Sequence, residues 1–433
     1  MQPRRETLSR QRNILLFMLI LISSATNMDR AITTLVLQPI KEDFSLSDSW
    51  IGLISGGPFA VVYSLASIPL ALAADRGNRK RILLVCFAIW IVMMFLCGLA
   101  SSTMWLIVAR MGVGVGEAGI IPTSHAIIAE AFPPIKRGGA FTAYSLSTVM
   151  AAPIAYSIGG WLIASFGWRS IFLGAAIISI PIAILGGFSI REPARRVTSL
   201  AIGSTRRAPL DDGAKKKTHF ATLTMIGAGC AGYSIYTYGP LGFLPTYLLR
   251  YTGVSMVKLG LTLGVTTTIA SIAGAAIGAL LADRLAARSL RWQVYLPAVG
   301  LLATAPLTLA TFLLNNFVYV MIAFGIIAAL LFATIPAVYA AIQHLTGDKH
   351  RTISIALILA AMNLIGMTVG PLGTGYISDV LQLSHGKEGL RLAMICVSAI
   401  LIPAAIVLFI AAQRCPRRDE TTDPSIVSVP ETN

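Results

Sequence analysis

Charged side chains are scarce in this chain. Asp, Glu, Lys and Arg make up 12% of its 433 residues, whereas hydrophobic residues make up 55% and the mean hydropathy is +0.75. Ordinary soluble domains carry about 25% charged residues. This composition excludes a water-soluble globular core and favours a membrane protein.

Patterns that mark catalytic or metal-binding chains are also lacking. The five cysteines show no CxxC pair and no regular spacing, which excludes a disulfide framework and a zinc site. No metal-ligand cluster and no nucleophile-base motif is found. We therefore expect no enzyme activity, no metal and no cofactor. The net charge of +15 is not arranged as a basic stripe with interleaved aromatic residues, so we expect no nucleic-acid partner.

Long apolar runs are what the chain does have. A helix of about 20 apolar residues crosses the roughly 30 Å hydrocarbon core of a bilayer, and it satisfies its own backbone hydrogen bonds there. The sequence predicts twelve such spans, an all-α integral membrane protein. They cover residues 13–40, 50–73, 82–101, 104–130, 139–163, 168–189, 220–247, 258–281, 292–313, 317–344, 352–380 and 390–412.

Basic residues lie mainly on one side of these spans. Of the 34 Lys and Arg residues, 26 are in the terminal segments and in the loops after even-numbered spans, and 6 are in the alternate loops or at the span ends next to them. By the positive-inside rule, this asymmetry predicts that both termini are cytoplasmic, in a bacterial-type inner membrane. The opposite side is the predicted periplasmic side.

A polar segment divides the spans into two sets of six. The sequence predicts an N-terminal half (1–189), a cytoplasmic linker (190–219), a C-terminal half (220–412) and a disordered tail (413–433). The run Leu72 to Arg76 after span 2 is echoed by Leu280 to Arg284 after span 8, which favours duplication. Two parallel halves related by an axis along the membrane normal are a recognised transporter layout.

Several motifs carry a family resemblance. The loop Asp75 to Arg81 resembles the signature loop of the major facilitator superfamily. The motifs Met28-Asp29-Arg30, Phe44 to Ser49, Gly112 to Gly119 and Gly167-Trp168-Arg169 are similar to those of its spinster-like branch. The resemblance implies an alternating-access transporter, often proton-coupled, with relatives that move lysolipids and sphingosine-type lipids. The Gly-Pro-x-x-Gly-Gly pattern of antiporters is only partly present.

The resemblance also implies site residues. Spans 1, 4, 7 and 10 line the cavity in the superfamily, so the resemblance implies candidate substrate contacts at Tyr233, Tyr236, Thr334 and Tyr339. The repeated loop implies a cytoplasmic gate formed by Asp75, Arg76, Arg79, Asp283 and Arg284. A helix N-terminus attracts an anion, so Asp75 at the end of span 2 could hold the start of span 11. Charges that serve only membrane topology are the alternative for the basic residues.

Four charged residues lie well inside predicted spans, away from the span ends: Asp29, Arg30, Arg110 and Glu117. A charge at the bilayer centre costs at least about 2.5 kcal/mol, so such residues are functional candidates. Seven residues along a helix turn it to within about 20° of two full turns. Arg110, Glu117 and Ser124 therefore form one stripe on span 4, and the depth of Glu117 matches that of Asp29 within about one turn.

We expect a network of Asp29, Arg30 and Glu117 at the cavity wall, with Arg110, Ser124 and His125 also lining the cavity. One interpretation is that a carboxylate here gains and loses a proton during transport. The other is a permanent ion pair that locks spans 1 and 4 together. For His125, a neutral, hydrogen-bonded side chain and a proton relay both remain open.

Glycines and prolines also mark spans 4 and 7. We expect the glycines from Gly112 to Gly119 to serve close helix packing. Pro240 and Pro245 predict a kink on the predicted periplasmic side of span 7. That kink fits a moving outer gate, and aromatic anchoring at the membrane interface explains Tyr238 and Tyr247 equally well.

Together these observations predict a proton-coupled secondary transporter for an amphipathic, lysolipid-type solute. The alternatives are a proton symporter for a small organic anion and a non-transporting sensor on a transporter fold. The expected partners are a small-molecule or lipid-like substrate, protons and membrane lipids. We expect a monomer.

Overall fold

The structure is a computed structural model that describes residues 2–190, 192, 213–286, 289–345 and 351–415. This part of the chain is all-helical. Its α-helices are α1 (Gln2–Phe44), α2 (Asp48–Ser55), α3 (Gly57–Arg76), α4 (Arg79–Gly98), α5 (Thr103–Ala118), α6 (Ile120–Ala131), α7 (Pro134–Phe166), α8 (Arg169–Ser189), α9 (Gly213–Tyr238), α10 (Leu244–Thr252), α11 (Met256–Ala286), α12 (Leu290–Leu313), α13 (Phe317–Leu345), α14 (Arg351–His385), α15 (Gly389–Ser398) and α16 (Leu401–Arg414). The 3₁₀ turn Gly386–Glu388 precedes α15.

The helices follow the predicted spans, and four spans are broken into two helices. Gly56 separates α2 from α3, and Gly119 separates α5 from α6. Residues 239–243 separate α9 from α10, and residues 399–400 separate α15 from α16. Glycine, which tolerates irregular backbone, lies at three of these breaks. The kink expected in span 7 is therefore a full break.

Ten helical segments of the described chain are long and apolar enough to cross a membrane. The last of them, Leu364–Arg414, covers parts of two predicted spans, and α9 is not among the ten. The all-helical membrane class is thus confirmed. The protein is a multi-pass membrane protein.

The same pattern of helix contacts occurs in both halves, and each contact in the second half lies six spans further along the chain. In the first half, α1 packs on α7 and α8, α3 on α5, and α4 on α8. In the second half, α9 packs on α14 and α16, α11 on α13, and α12 on α16. Between the halves, α7 packs on α11, and α2 and α3 pack on α14. The boundaries given above for the two halves stay a prediction.

Close backbone packing between the halves lies toward the predicted periplasmic side. A Cβ placed on Gly160 of α7 would lie 2.9 Å from the Cα atom of Gly260 of α11. A Cβ on Gly52 of α2 would lie 2.4 Å from the carbonyl oxygen of Pro371 of α14. These approaches leave no room for side chains, so the halves are pressed together at this level.

The glycines of α5 serve packing, as expected. A Cβ on Gly116 would lie 2.6 Å from the backbone nitrogen of Trp90 on α4. A Cβ on Gly114 would lie 2.9 Å from the carbonyl oxygen of Phe59 on α3. Because these atoms belong to neighbouring backbones, a side chain here would push whole helices apart.

We expect Gly116→Ala to lower the melting temperature of the purified protein. Overpacking costs roughly 1–3 kcal/mol, or about 3–10 °C for a chain of this kind. Gly139→Ala in α7 is the matched control, since a Cβ there meets nothing within 4 Å. Equal melting curves for both variants in a thermal unfolding assay would contradict the packing role of Gly116.

Candidate functional site

Two ion pairs join α1 to α5 in the middle of the predicted membrane. Arg110 Nη1 donates to Asp29 Oδ1 at 2.5 Å, and Arg30 Nη2 donates to Glu117 Oε1 at 3.1 Å. Asp29, Arg110 and Glu117 are buried, whereas the Arg30 side chain is 29% exposed. The four intramembrane charges therefore form one cluster, the inner cluster, and only Arg30 is partly accessible.

The arrangement of the inner cluster differs from the expected one in its pairing. Arg110, which we expected only at the cavity wall, is the partner of Asp29. Its guanidinium also lies 5.2 Å from the centre of the Phe59 ring. A guanidinium over an aromatic face is attracted by the negative face of the ring, and the attraction is stronger where water is excluded. Arg110 is thus held on two sides, whereas Arg30 has the freer position.

Each carboxylate of the inner cluster uses only one of its oxygens. Within the described residues, Asp29 Oδ2 and Glu117 Oε2 are buried and have no hydrogen-bond partner. A buried carboxylate with an unpaired oxygen is costly. Protonation of that oxygen removes the charge, which gives these groups the chemistry that a proton carrier needs.

A cavity of about 320 Å³ lies next to this cluster. Both arginines, Arg30 and Arg110, line it. The polar wall is completed by α1, α7 and α9 through Asn27, Thr34, Tyr156, Tyr233, Thr237 and Tyr238. The apolar wall comes mainly from α13 and α14 through Phe324, Ala328, Leu331, Phe332 and Met367. The cavity is therefore amphipathic, with its positive charge on one wall.

Of the four expected substrate contacts, the structure places one at the cavity and two away from it. Tyr233 lines the cavity. Tyr236 does not: it is fully buried, and its hydroxyl lies 2.6 Å from Thr308 Oγ1. Thr334 is also buried, donates to the carbonyl of Leu331 and faces Gly300 of α12. The side chain of Tyr339 lies outside the described part of the chain.

Ser124 and His125 lie on α6, beyond the break at Gly119. Ser124 is buried beside Tyr144, and neither it nor His125 lines the cavity described above. His125 is exposed and packs edge-on against Phe141 and Tyr144, with ring centroids 5.3 Å apart in both cases. The expected contacts of Ser124 and His125 with the cavity are thus not found here.

The expected cytoplasmic gate is described only in part. The side chains of Asp75 and Asp283 lie outside the described part of the chain. Arg76 and Arg284 are exposed at the ends of α3 and α11. Arg79 forms an ion pair with Glu130 of α6, within the N-terminal half. Its described ion pair is therefore local rather than a bridge between the halves.

Glu192 adds to this local group. Its carboxylate oxygens accept from the backbone nitrogens of Arg79 at 3.0 Å and Lys80 at 2.8 Å. An anion at a helix N-terminus is stabilised by the unpaired N–H groups there. Glu192 thus ties the start of the linker to the N-terminus of α4.

A second cluster, which the sequence analysis missed, lies at the predicted periplasmic side. Asp48 is fully buried at the start of α2. It accepts two bonds from Arg250 of α10, at 2.6 and 2.9 Å, and one from Lys41 at 2.6 Å. Ser378 and Gln382 of α14 donate to it as well. We call Lys41, Asp48, Arg250, Ser378 and Gln382 the outer cluster.

The outer cluster joins the two halves. Lys41 and Asp48 belong to the first half, and the other members belong to the second. Asp379 strengthens the junction, because its carboxylate accepts from the backbone nitrogens of Asp48 and Ser49, each at 2.8 Å. In addition, Arg250 Nε donates to Gln38 of α1 at 2.6 Å. The predicted periplasmic end is thus held shut by charged hydrogen bonds.

Tyr247, next to this region, does not anchor the chain at a membrane interface. It is buried and stacks on Tyr251 with ring centroids 4.8 Å apart. Its hydroxyl faces the carbonyl oxygens of Phe312 and Leu314. The anchoring interpretation of Tyr247 is therefore wrong.

Comparison with known proteins identifies the family. The sequence model of the family described as Major Facilitator Superfamily matches residues 18–296 and 242–431 of this chain. The chain belongs to the major facilitator superfamily. It is a transporter of the spinster-like type. Its fold matches the crystal structure of a bacterial homologue of the human lysosomal transporter Spinster with a TM-score of 0.82 and 28% identity, covering 94% of this chain and 98% of the other.

Other members of the superfamily are similar over much of their length. An MFS-type efflux pump of Mycolicibacterium smegmatis is 29% identical over 410 residues, which are 93% of this chain and 92% of that protein. A probable sulfoacetate transporter of Cupriavidus necator is 27% identical over 290 residues, 64% of this chain and 66% of that protein. One of these relatives is thus named an efflux pump and the other a probable sulfoacetate transporter.

Proposed function

We propose that this transporter carries an amphipathic, lysolipid-type anion by proton-coupled alternating access. The observation that carries the proposal is the divided cavity, which has two arginines on one wall and apolar side chains of α13 on the other. A solute with an anionic head and an apolar body satisfies both walls at once. A purely polar solute would leave the apolar wall in contact with water or polar groups.

The pairing of Arg30 with Glu117 supports the proposed proton coupling. Arg30 lines the cavity and is partly exposed, so an anionic head group can bind it. Glu117 would then lose its partner while it stays buried. A buried carboxylate without a partner takes up a proton. Anion binding and proton binding would therefore support each other at this site.

Alternating access requires two ends that open in turn. The outer cluster closes the predicted periplasmic end, which corresponds to a cavity that faces the cytoplasm. The structurally similar Spinster homologue is described as inward-facing and unoccupied. We propose that the two halves, joined by the 190–219 linker, rock about the cavity in a bacterial inner membrane, with cytoplasmic termini. Asp75, Arg76, Arg79, Asp283 and Arg284 remain the proposed gate on the cytoplasmic side.

A proton symporter for a small organic anion is the second candidate. The relative from C. necator is named a sulfoacetate transporter, and Arg30 with Arg110 would suit such an anion equally well. The two candidates differ in the use of the apolar wall. Phe324 and Phe332 would contact an amphiphile and would matter less to a small anion.

The test compares both ligand classes on purified protein. We expect an anionic lysolipid to raise the melting temperature, because a ligand that binds the folded state stabilises it. Phe332→Ser should reduce this shift by placing a hydroxyl in the apolar wall. Sulfoacetate or a sugar acid should give no shift, and uptake of labelled lysolipid into proteoliposomes should follow a pH gradient. Stabilisation by the small anions alone, unaffected by Phe332→Ser, would reject the amphiphile in favour of the second candidate.

A further inference from the structure

A second cavity lies between α11 and α13. It is an open groove of about 640 Å³ with an almost entirely apolar lining. Six of its larger lining side chains are exposed, and a membrane would cover them: Leu261, Val265, Ile269, Val318, Ile322 and Ile326. We call this space the α11/α13 groove.

The groove is separate from the central cavity. The same two helices line the central cavity with Thr267, Ser271, Phe324 and Ala328. They line the groove with their adjacent residues, such as Thr266, Ala270 and Gly325. The groove thus lies on the opposite face of the helix pair, and its occupant need not be the transported solute.

Small residues shape the groove. Toward the predicted cytoplasmic side, a Cβ on Gly274 would lie 2.4 Å from the carbonyl oxygen of Ala329, and a Cβ on Gly278 would lie 2.4 Å from that of Ala333. The helix backbones therefore touch there and close the groove. Nearer the predicted periplasmic side, a Cβ placed on Gly325 of α13 would lie 3.1 Å from the methyl group of Thr266 on α11. The missing side chain thus lets Thr266 of α11 pack against α13 in the wall of the groove.

The length of the groove matches one leaflet. Its α11 wall runs from Leu261 to Ala273, which is about 18 Å at a rise of about 1.5 Å per residue. Half of the hydrocarbon core is about 15 Å. The groove therefore extends over the depth of a single lipid chain in the predicted periplasmic leaflet.

A lysine lies at the open end of the groove. Lys258 precedes Leu261 by three residues on α11 and is exposed. Its ammonium lies 5.4 Å from the centre of the Phe317 ring, which lines the groove. Among the residues that the structure describes, Lys258 has no carboxylate partner. A positive charge is thus placed where the head group of a lipid would lie.

We propose that the α11/α13 groove is a binding site for an anionic phospholipid of the predicted periplasmic leaflet. One acyl chain lies in the groove against Val265, Gly325 and Ile326, and the phosphate binds Lys258. Lysines near a membrane surface attract anionic lipids, and the apolar wall supplies the contacts for the chain. The lipid is a resident ligand of the transporter and does not pass through the central cavity.

The head-group contact is tested with lipids that share their acyl chains. The detergent-purified protein is titrated with phosphatidylglycerol and, separately, with phosphatidylcholine, and native mass spectrometry counts the bound lipids. We expect one tightly bound phosphatidylglycerol, with affinity about fivefold lower in Lys258→Gln. Lys387→Gln is the matched control, since Lys387 is an exposed lysine on the same predicted side and outside the groove.

The chain contact is tested with a filling substitution. Val265→Trp places a large ring in the groove, whereas Ile272→Trp places the same ring on α11 outside it, and both positions are more than half exposed. We expect the bound lipid to disappear in Val265→Trp alone. Equal binding of both lipids, or equal binding to Lys258→Gln and Lys387→Gln, would overturn the proposal. Retention of the lipid by Val265→Trp would overturn it as well.

Discussion

The Glu117→Gln transporter is expected to lose the response to a pH gradient. Glutamine keeps the size and the hydrogen-bonding oxygen of Glu117 but cannot exchange a proton. Uptake into proteoliposomes driven by an imposed pH gradient should fall by at least about tenfold, because the proton no longer binds to the moving site. Exchange of labelled for unlabelled solute, which needs no net proton movement, should continue.

This expectation rests on the geometry of the inner cluster. Glu117 is buried, has one unpaired oxygen and is paired through the other with the accessible Arg30. Asp29 has the same unpaired oxygen, but its partner Arg110 is itself buried and held over Phe59. The partner of Glu117 is thus the one that a solute can reach. Glu117 therefore has the stronger claim to the coupling role.

The control for charge loss is Glu388→Gln. Glu388 is exposed and pairs with Arg391 on the helix surface, where ion pairs contribute little. Its variant should transport like the parent protein. Full pH-driven uptake by Glu117→Gln would show that the pair with Arg30 is only structural, and Asp29→Asn would then be the next variant to measure.

The Asp48→Asn variant is expected to open the predicted periplasmic end. Asp48 is the buried, shared acceptor of the outer cluster, so its neutralisation removes the carboxylate that pairs with Arg250 and Lys41, whose side chains are only 18% and 21% exposed. Breaking a buried ion pair in this way costs about 3–5 kcal/mol. A change of that size shifts a two-state equilibrium by at least about 100-fold. The state with a closed periplasmic end should therefore no longer be the most populated one.

Distance measurements can follow this opening. Spin labels on cysteines introduced at Ser101 and Asn315, both exposed on the predicted periplasmic side of opposite halves, report on the separation there. Cys396, the exposed native cysteine, is replaced by serine in all variants. We expect a longer distance to predominate in Asp48→Asn.

Asp43→Asn is the matched control for Asp48. Asp43 lies on the same predicted side and pairs with Arg169 at 2.9 Å, but both side chains are substantially exposed and belong to one half. Its removal should cost no more than about 1 kcal/mol and leave the distances unchanged. Identical distance distributions for Asp43→Asn and Asp48→Asn would show that the outer cluster does not hold the halves together.

The fold could be predicted from the sequence because the bilayer imposes it. Apolar runs of sufficient length have to be helices, and the basic loops give an orientation. The breaks at Gly56 and Gly119 could not be predicted, since an isolated glycine inside an apolar run is equally compatible with an unbroken helix. In α5, the neighbouring glycines serve close packing instead, and hydropathy does not distinguish the two uses.

The inner cluster could also be anticipated, because a charge inside an apolar run needs a partner. The pairing could not, since Asp29 and Arg30 point in different directions and both reach α5. Tyr236 and Thr334 were assigned to the cavity by span alone, but helix rotation turns them toward α12. Asp48 was missed because a carboxylate beside a loop is usually solvated, and its partners are distant in the sequence.

The continuity of α1 has a mechanical consequence. One helix carries Asp29 and Arg30 at its middle and Gln38 and Lys41 toward its end. From Arg30 to Lys41 is about 16 Å at about 1.5 Å per residue, and Pro39 is the only proline in this stretch of the helix. We expect this uninterrupted helix to move as one rigid body. If the proposed proton binding at the inner cluster tilts α1, Gln38 and Lys41 would move with it and pull on the outer cluster, with no relay of side chains between the two clusters.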